Sequence, residues 1–198
     1  MKADIGRVPP APMEASGQPR DLIDGIVDAW RAEMPELDHA EFELVKRAAR
    51  LGVMLEDELS ARLAPWNLTK ADFNVLGILR SAGSPYEVRP TDLKARLLLT
   101  SGGISNVLNR LEKAGHIERE RDDDDGRSSW VRLTDTGVET VNATLGAWAA
   151  AQADIFRAVP SKVSRAAADA LREVLVALGD CEPPAARVRH RSSAAPNQ

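Results

Sequence analysis

The sequence predicts a mainly α-helical fold with one small β-hairpin. Three observations carry that expectation. Apolar residues recur at helical spacing over most of residues 21 to 179, alternation of period two is confined to the stretch from Ile117 to Leu133, and Gly, Pro and capping residues punctuate the chain where the period changes. The 198 residues are 43% hydrophobic and 28% charged with a net charge of -4, the balance of a globular protein rather than of a disordered or repetitive one. No apolar run approaches the ~18 residues of a membrane span, and the opening MKADIGRVPPAP lacks the apolar centre of a secretory signal. Cys181 is the single thiol, which excludes an intrachain disulfide framework and fits a reducing, cytoplasmic compartment.

Residues 1–20 and 181–198 are proline-punctuated and without apolar period, and read as disordered tails around a single domain spanning 21–180. From residue 21, Leu22, Ile23, Ile26, Val27 and Trp30 share one helical face behind a capping Asp21. A longer helix over 39–63 carries the stripe Phe42, Val45, Ala49, Leu55, Leu59 and Leu63, and Pro65 ends it. Thr69 with Asp72 resembles a capping box for a helix to about Arg80. Ala82-Gly83-Ser84-Pro85 breaks that helix, Tyr86 to Arg89 is extended, and Pro90 opens a short helix to Leu97 or Leu98. A turn at Thr100-Ser101-Gly102-Gly103 leads into a helix over about 102–114 with Ile104, Val107, Leu108 and Leu111 inward and Gly115 as its stop. Ile117–Arg121 and Trp130–Leu133 make the hairpin around an acidic tip. Two more helices follow, with stripes Val138, Val141, Leu145, Trp148, Ile155, Val159 and Val163, Ala167, Leu171, Val174, Leu178, separated at Pro160.

Two short helices joined by a tight turn and followed by a hairpin make a winged helix-turn-helix over 69–134. The flanking helices, 21–63 and 137–179, carry more apolar surface than one small domain covers, so they read as a dimerisation region. The sequence here resembles the MarR family of winged helix-turn-helix transcriptional regulators. The resemblance is carried by Leu93-Lys94-Ala95-Arg96-Leu97, by Thr100 to Gly115, and by Ile117 to Gly137, including Asp122, Asp125, Arg127 and Leu133-Thr134-Asp135-Thr136-Gly137. It implies a homodimer that binds a pseudopalindromic operator in double-stranded DNA and releases it in response to a small molecule or oxidant. The extra first helix, with Ile26-Val27-Asp28-Ala29-Trp30 and Glu33 to Asp38, is similar to the PecS-type, urate-responsive branch. In that likeness Trp30 and Arg119 match pocket residues, while Asn74, Ser81 and Val107 replace an Asp and two Arg. A small anionic ligand, urate-like or a carboxylate, is the resulting expectation, with Trp30, Asn74, His116 and Arg119 as its candidate residues.

The chemistry of the predicted DNA surface follows from residue type. Backbone amides at a helix start bind phosphate, which suits Thr100, Ser101 and Gly102, and polar side chains in the major groove read base edges, which suits Ser105, Asn106, Asn109 and Arg110. Arg127 at the hairpin tip suits the electronegative minor groove, with Asp125 orienting it and Asp122 bracing the hairpin. Gly126 stands where the family commonly has an arginine. Over 89–132 there are 9 basic and 8 acidic residues, so attraction to DNA must come from their arrangement rather than their sum. His39, His116 and His190 are scattered, which leaves no metal site, and no cofactor loop or nucleophile-base set marks an enzyme. The competing expectation is a dimeric protein-interaction module that has lost DNA binding.

Overall fold

The computed structural model describes residues 19–37, 40–97, 101–121 and 129–181. Their elements are α1 (Leu22–Glu33), a 3-10 turn at Pro35–Leu37, α2 (Ala40–Leu63), a second 3-10 turn at Ala64–Trp66, α3 (Lys70–Ser81), β1 (Glu87–Val88), α4 (Pro90–Leu97), α5 (Ser101–Lys113), β2 (Ile117–Arg121), β3 (Ser129–Leu133), α6 (Asp135–Ile155) and α7 (Ser161–Ala177). The architecture is helical with a small three-stranded antiparallel sheet, as the periodicity predicts. No helix among the described residues is long and apolar enough to cross a membrane. The chain divides into two compact units, Met1–Asp57 and Glu58–Gln198.

In the first unit α1 begins where a reciprocal cap forms. The Asp24 amide donates to Asp21 Oδ1 at 2.9 Å and the Asp21 amide donates to Asp24 Oδ2 at 2.7 Å, which satisfies two of the donors a helix start leaves open. Ile23 and Val27 are buried. Arg47 of α2 gathers three carboxylates, donating to Asp21 at 2.9 Å, Asp24 at 2.6 Å and Glu43 at 2.7 Å. Asp28 adds a second cluster with Arg20 and Arg31.

In the second unit the sheet order is β1-β3-β2, and its register decides which side chains face inward. Val88 lies opposite Val131 and Ile117 opposite Leu133, so these four share one face and enter the core. They meet Val75, Leu76 and Leu79 of α3, Leu93 of α4, the buried face of α5, and Val141 of α6. The other face carries Glu87, Arg132 and Glu118 in a row across the strands, with Arg132 paired to Glu118. On that same face the Arg89 guanidinium lies 4.8 Å from the centre of the Trp130 ring. Leu59, Leu63 and Phe73 form a smaller cluster that Trp148 borders.

The junction between α5, the hairpin and α6 is tightly specified. Gly115 takes φ +77°, the left-handed conformation that ends α5. Thr134 then works in three directions: its amide donates to the His116 carbonyl at 3.1 Å, its hydroxyl donates to the Gly115 carbonyl at 2.7 Å, and its oxygen accepts the Gly137 amide at 3.0 Å. A Cβ on Gly137 would lie 2.0 Å from the His116 carbonyl oxygen, so only glycine lets α6 start against this turn. Two expectations shift. α6 ends at Ile155 rather than running to Val159, since the chain turns at Phe156, whose carbonyl accepts the Val159 amide at 2.9 Å. The stripe of α7 expected to face inward has no buried residue, and Leu178 just beyond it is 78% exposed. An amphipathic period reports that a face will be covered, not that the same chain covers it.

The Arg47 cluster has a pH sense. Burial pushes the Asp21 carboxyl up, but hydrogen bonds from the Asp24 amide and Arg47 outweigh it and hold the group below its ordinary value. The hydrogen bond from Arg20 does the same for Asp28. The pairing with Glu43, against desolvation and assisted by Asp21, raises Arg47. Carboxyls lowered on folding stabilise the fold above the ordinary carboxylate range, and that contribution is lost as pH falls through their lowered values. Deuterium exchange in α1, corrected for intrinsic rates, is expected to rise on acidification, and Arg47→Ala is expected to reproduce the rise at neutral pH. Unchanged α1 protection in Arg47→Ala would refute the assignment.

Candidate nucleic-acid interface

α5 is amphipathic in the simplest sense. Ile104, Val107, Leu108 and Leu111 are buried in the core, and Gly102, Ser105, Asn106 and Asn109 are exposed on the other side. The exposed face is polar and carries no carboxylate until Glu112, which suits approach to phosphate and base edges. Thr100, Asp122, Asp125 and Arg127 lie outside the described residues, as does the side chain of Ser101, whose backbone opens α5. Val107, where the resembled branch has a charged residue, is a core side chain.

Arg110, expected at a base edge, is paired within the protein. Its Nε donates to both Asp72 oxygens at 3.1 Å, and its Nη2 donates to Asp72 Oδ1 at 2.6 Å and to Thr69 Oγ1 at 3.1 Å. Asp72 is 1% exposed and also accepts the Thr69 amide at 2.8 Å and the Thr69 hydroxyl at 2.7 Å. The carboxylate that caps α3 therefore also holds α5. A buried carboxylate needs this cation far more than a solvated base edge does, which explains why the guanidinium turns back. Sequence reasoning sees Thr69 and Asp72 as a helix cap; the link to Arg110, 38 positions away, leaves no periodic trace.

A second clasp joins α5 to β2. Arg119 donates from Nη2 to Asn109 Oδ1 at 2.5 Å and pairs through Nε with Glu112 Oε2 at 3.2 Å. Asn109 and Glu112 are three apart, so one guanidinium spans adjacent turns of the same helical face. His116 sits at the bend between α5 and β2, its Nδ1 buried with no hydrogen-bond partner among the described residues. Of the other candidate ligand residues, Asn74 is half-buried on α3, and Trp30 belongs to the first unit, 42% exposed. A cleft of about 510 Å³ lies between the end of α6 and α7, lined by Phe156, Val159, Arg165 and Arg172 among others. None of the expected ligand residues lines it.

Comparison with known proteins follows the same lines. The MarR family profile matches residues 66–128, a span that contains α3, β1, α4, α5 and β2. The HTH-type transcriptional regulator PecS of Dickeya dadantii is 29% identical over 120 residues, 61% of this chain and 72% of that protein. Among solved structures, the MarR family regulator Sco3205 of Streptomyces coelicolor in complex with DNA superposes with TM-score 0.63 at 26% identity, covering 74% of this chain and 94% of that one. The organohalide-sensing regulator RdhR-CbdbA1625 in its 2,4-dichlorophenol-bound form superposes with TM-score 0.64 at 19% identity, covering 72% and 83%.

The Arg110 pairing is open to direct test. Arg110→Ala leaves Asp72 buried without its cation and is expected to cost about 2 kcal/mol of stability, less than a fully buried pair because Arg110 is half-exposed. Arg110→Lys, lacking the planar fork, is expected to restore only part of that loss. Equal unfolding midpoints for all three proteins in urea would show that the pairing contributes nothing.

Proposed function

We propose that the chain is a DNA-binding transcriptional regulator of the MarR family, as its likeness to those regulators supports, and that it acts as a homodimeric repressor on a pseudopalindromic operator and is released by a small anion. The observation that carries this reading is the exposed polar face of α5, anchored near its C-terminal end by Arg110–Asp72 and Arg119–Asn109. In this reading two such helices related by a two-fold axis enter successive major grooves, with half-sites ~34–36 Å apart. Ser105, Asn106 and Asn109 supply the groove-facing contacts, and Thr100, Ser101 and Gly102 stand at the phosphate. Arg127 reaches the minor groove with support from Asp125 and Asp122. Arg110, held by Asp72 yet half-exposed, is proposed beside them as a further DNA contact.

The second copy is favoured by the apolar surface that one chain leaves open. Val163, Leu171, Leu175 and Val176 on α7, and Val45, Leu51, Val53 and Met54 on α2, are all exposed. Large exposed apolar surface of this kind marks an interaction site. Leu175→Glu is expected to convert a dimer to monomers in sedimentation velocity, with loss of operator affinity; a monomeric wild type would refute the assembly.

The ligand reading rests on the resemblance to PecS and on a protein of the same fold captured with 2,4-dichlorophenol. Asn74, His116 and Arg119 of the second unit are its proposed residues, with Trp30 of the first unit proposed separately on the resemblance alone. An anion drawn to Arg119 competes with Glu112 and Asn109, and so changes the face that α5 presents; a ligand acts only through such a difference between states. Fluorescence anisotropy with the DNA flanking the gene, over a salt series, is expected to show tight, salt-dependent binding to one palindromic segment, reversed by urate or a carboxylate. Binding that no anion reverses would leave the regulator and remove the ligand. No binding at low salt would favour the protein-interaction module.

A further inference from the structure

Arg119 does more than fasten β2 to α5: it determines which atoms of Asn109 remain for DNA. An arginine carries only donors, so the Asn109 amide atom that faces it at 2.5 Å is the oxygen. The second anchor, Arg119 Nε to Glu112 Oε2 at 3.2 Å, holds the guanidinium in place on the same helix. Asn109 therefore presents its Nδ2 donors outward, with a cation against its acceptor. Asparagine reads adenine by a bidentate contact in which the oxygen accepts from N6 and the nitrogen donates to N7. A guanidinium on that oxygen weakens what it offers a second donor and repels the partly positive N6 amino group. Guanine, with N7 and O6, and thymine, with O4, present acceptors alone at the edge that such an asparagine meets.

We propose that the Arg119–Asn109 clasp makes Asn109 a donor-only reader, selecting guanine or thymine over adenine at the base it contacts. This rests on the reading of α5 as the groove helix. Arg119 is then a positioning residue for specificity, acting through Asn109 without itself touching the base.

The test is selection from a randomised duplex library with the full-length protein. Asn109→Ala locates the position, as the one where wild-type preference disappears. There the wild type is expected to favour guanine or thymine over adenine by about tenfold. Arg119→Leu, which frees Oδ1, is expected to raise adenine to parity or above. Arg119→Lys keeps a donor at the oxygen and is expected to retain the wild-type preference. Asn109→Asp removes the donors, keeps an acceptor for Arg119, and is expected to lose the preference whether or not Arg119→Leu folds. Adenine preferred by the wild type, an Asn109→Ala profile identical to wild type, or an unchanged preference in folded Arg119→Leu would each overturn the inference while leaving the regulator reading intact. Failure of the wild type to bind any duplex at low salt would overturn both.

Discussion

The placement of α5 against α3 depends on one buried carboxylate. Asp72 closes the start of α3 and simultaneously receives Arg110 from α5, so the orientation of α5 is tied to the capping chemistry of another helix. The hydrophobic face of α5 alone would permit small rotations and slides, because apolar contact is non-directional. Four hydrogen bonds from one planar guanidinium are directional, and they remove that freedom. The arrangement carries its own penalty if broken, since a carboxylate this deeply buried has no recourse to water.

A second constraint acts just beyond the same end of α5, where the chain leaves it. Gly115 turns the chain, His116 offers its carbonyl to Thr134, and Gly137 brings α6 to van der Waals limits against it. The hairpin is therefore not a loose appendage. It is bound to the helix that precedes it by Arg119, and to the helix that follows it by Thr134. The junction thereby links α5 physically to α6 through packed backbone and hydrogen bonds.

The element order was legible because each boundary has a local cause. Asp21 and Thr69 form their caps, Pro90 opens α4, Gly115 ends α5, and the alternation in Ile117–Arg121 is a strand. The buried face of α5 was legible for the same reason: Ile104, Val107, Leu108 and Leu111 repeat at helical spacing. What could not be read was the pairing of side chains distant in sequence. Arg110 and Asn109 look alike in a helix as exposed polar residues, yet one is anchored to Asp72 and the other is clasped by Arg119. Nor does period distinguish a face buried by its own chain from one awaiting another: Val141 is buried and Val163 is not, though both lie in equally regular stripes.

The acidic balance of the chain shows why these pairings matter for binding. A net charge of -4 gives no general attraction to a polyanion. Specific contact must come from a surface on which carboxylates are neutralised or turned away. On α5 that is what the two arginines do: Arg110 compensates Asp72 beneath the helix, and Arg119 compensates Glu112 at its edge. The outward face from Gly102 to Asn109 is left uncharged, bearing amide and hydroxyl groups. Affinity drawn from such a face depends more on the fit of donors and acceptors than on counterion release, so a protein of this composition gains selectivity from geometry that a strongly basic domain would supply through charge.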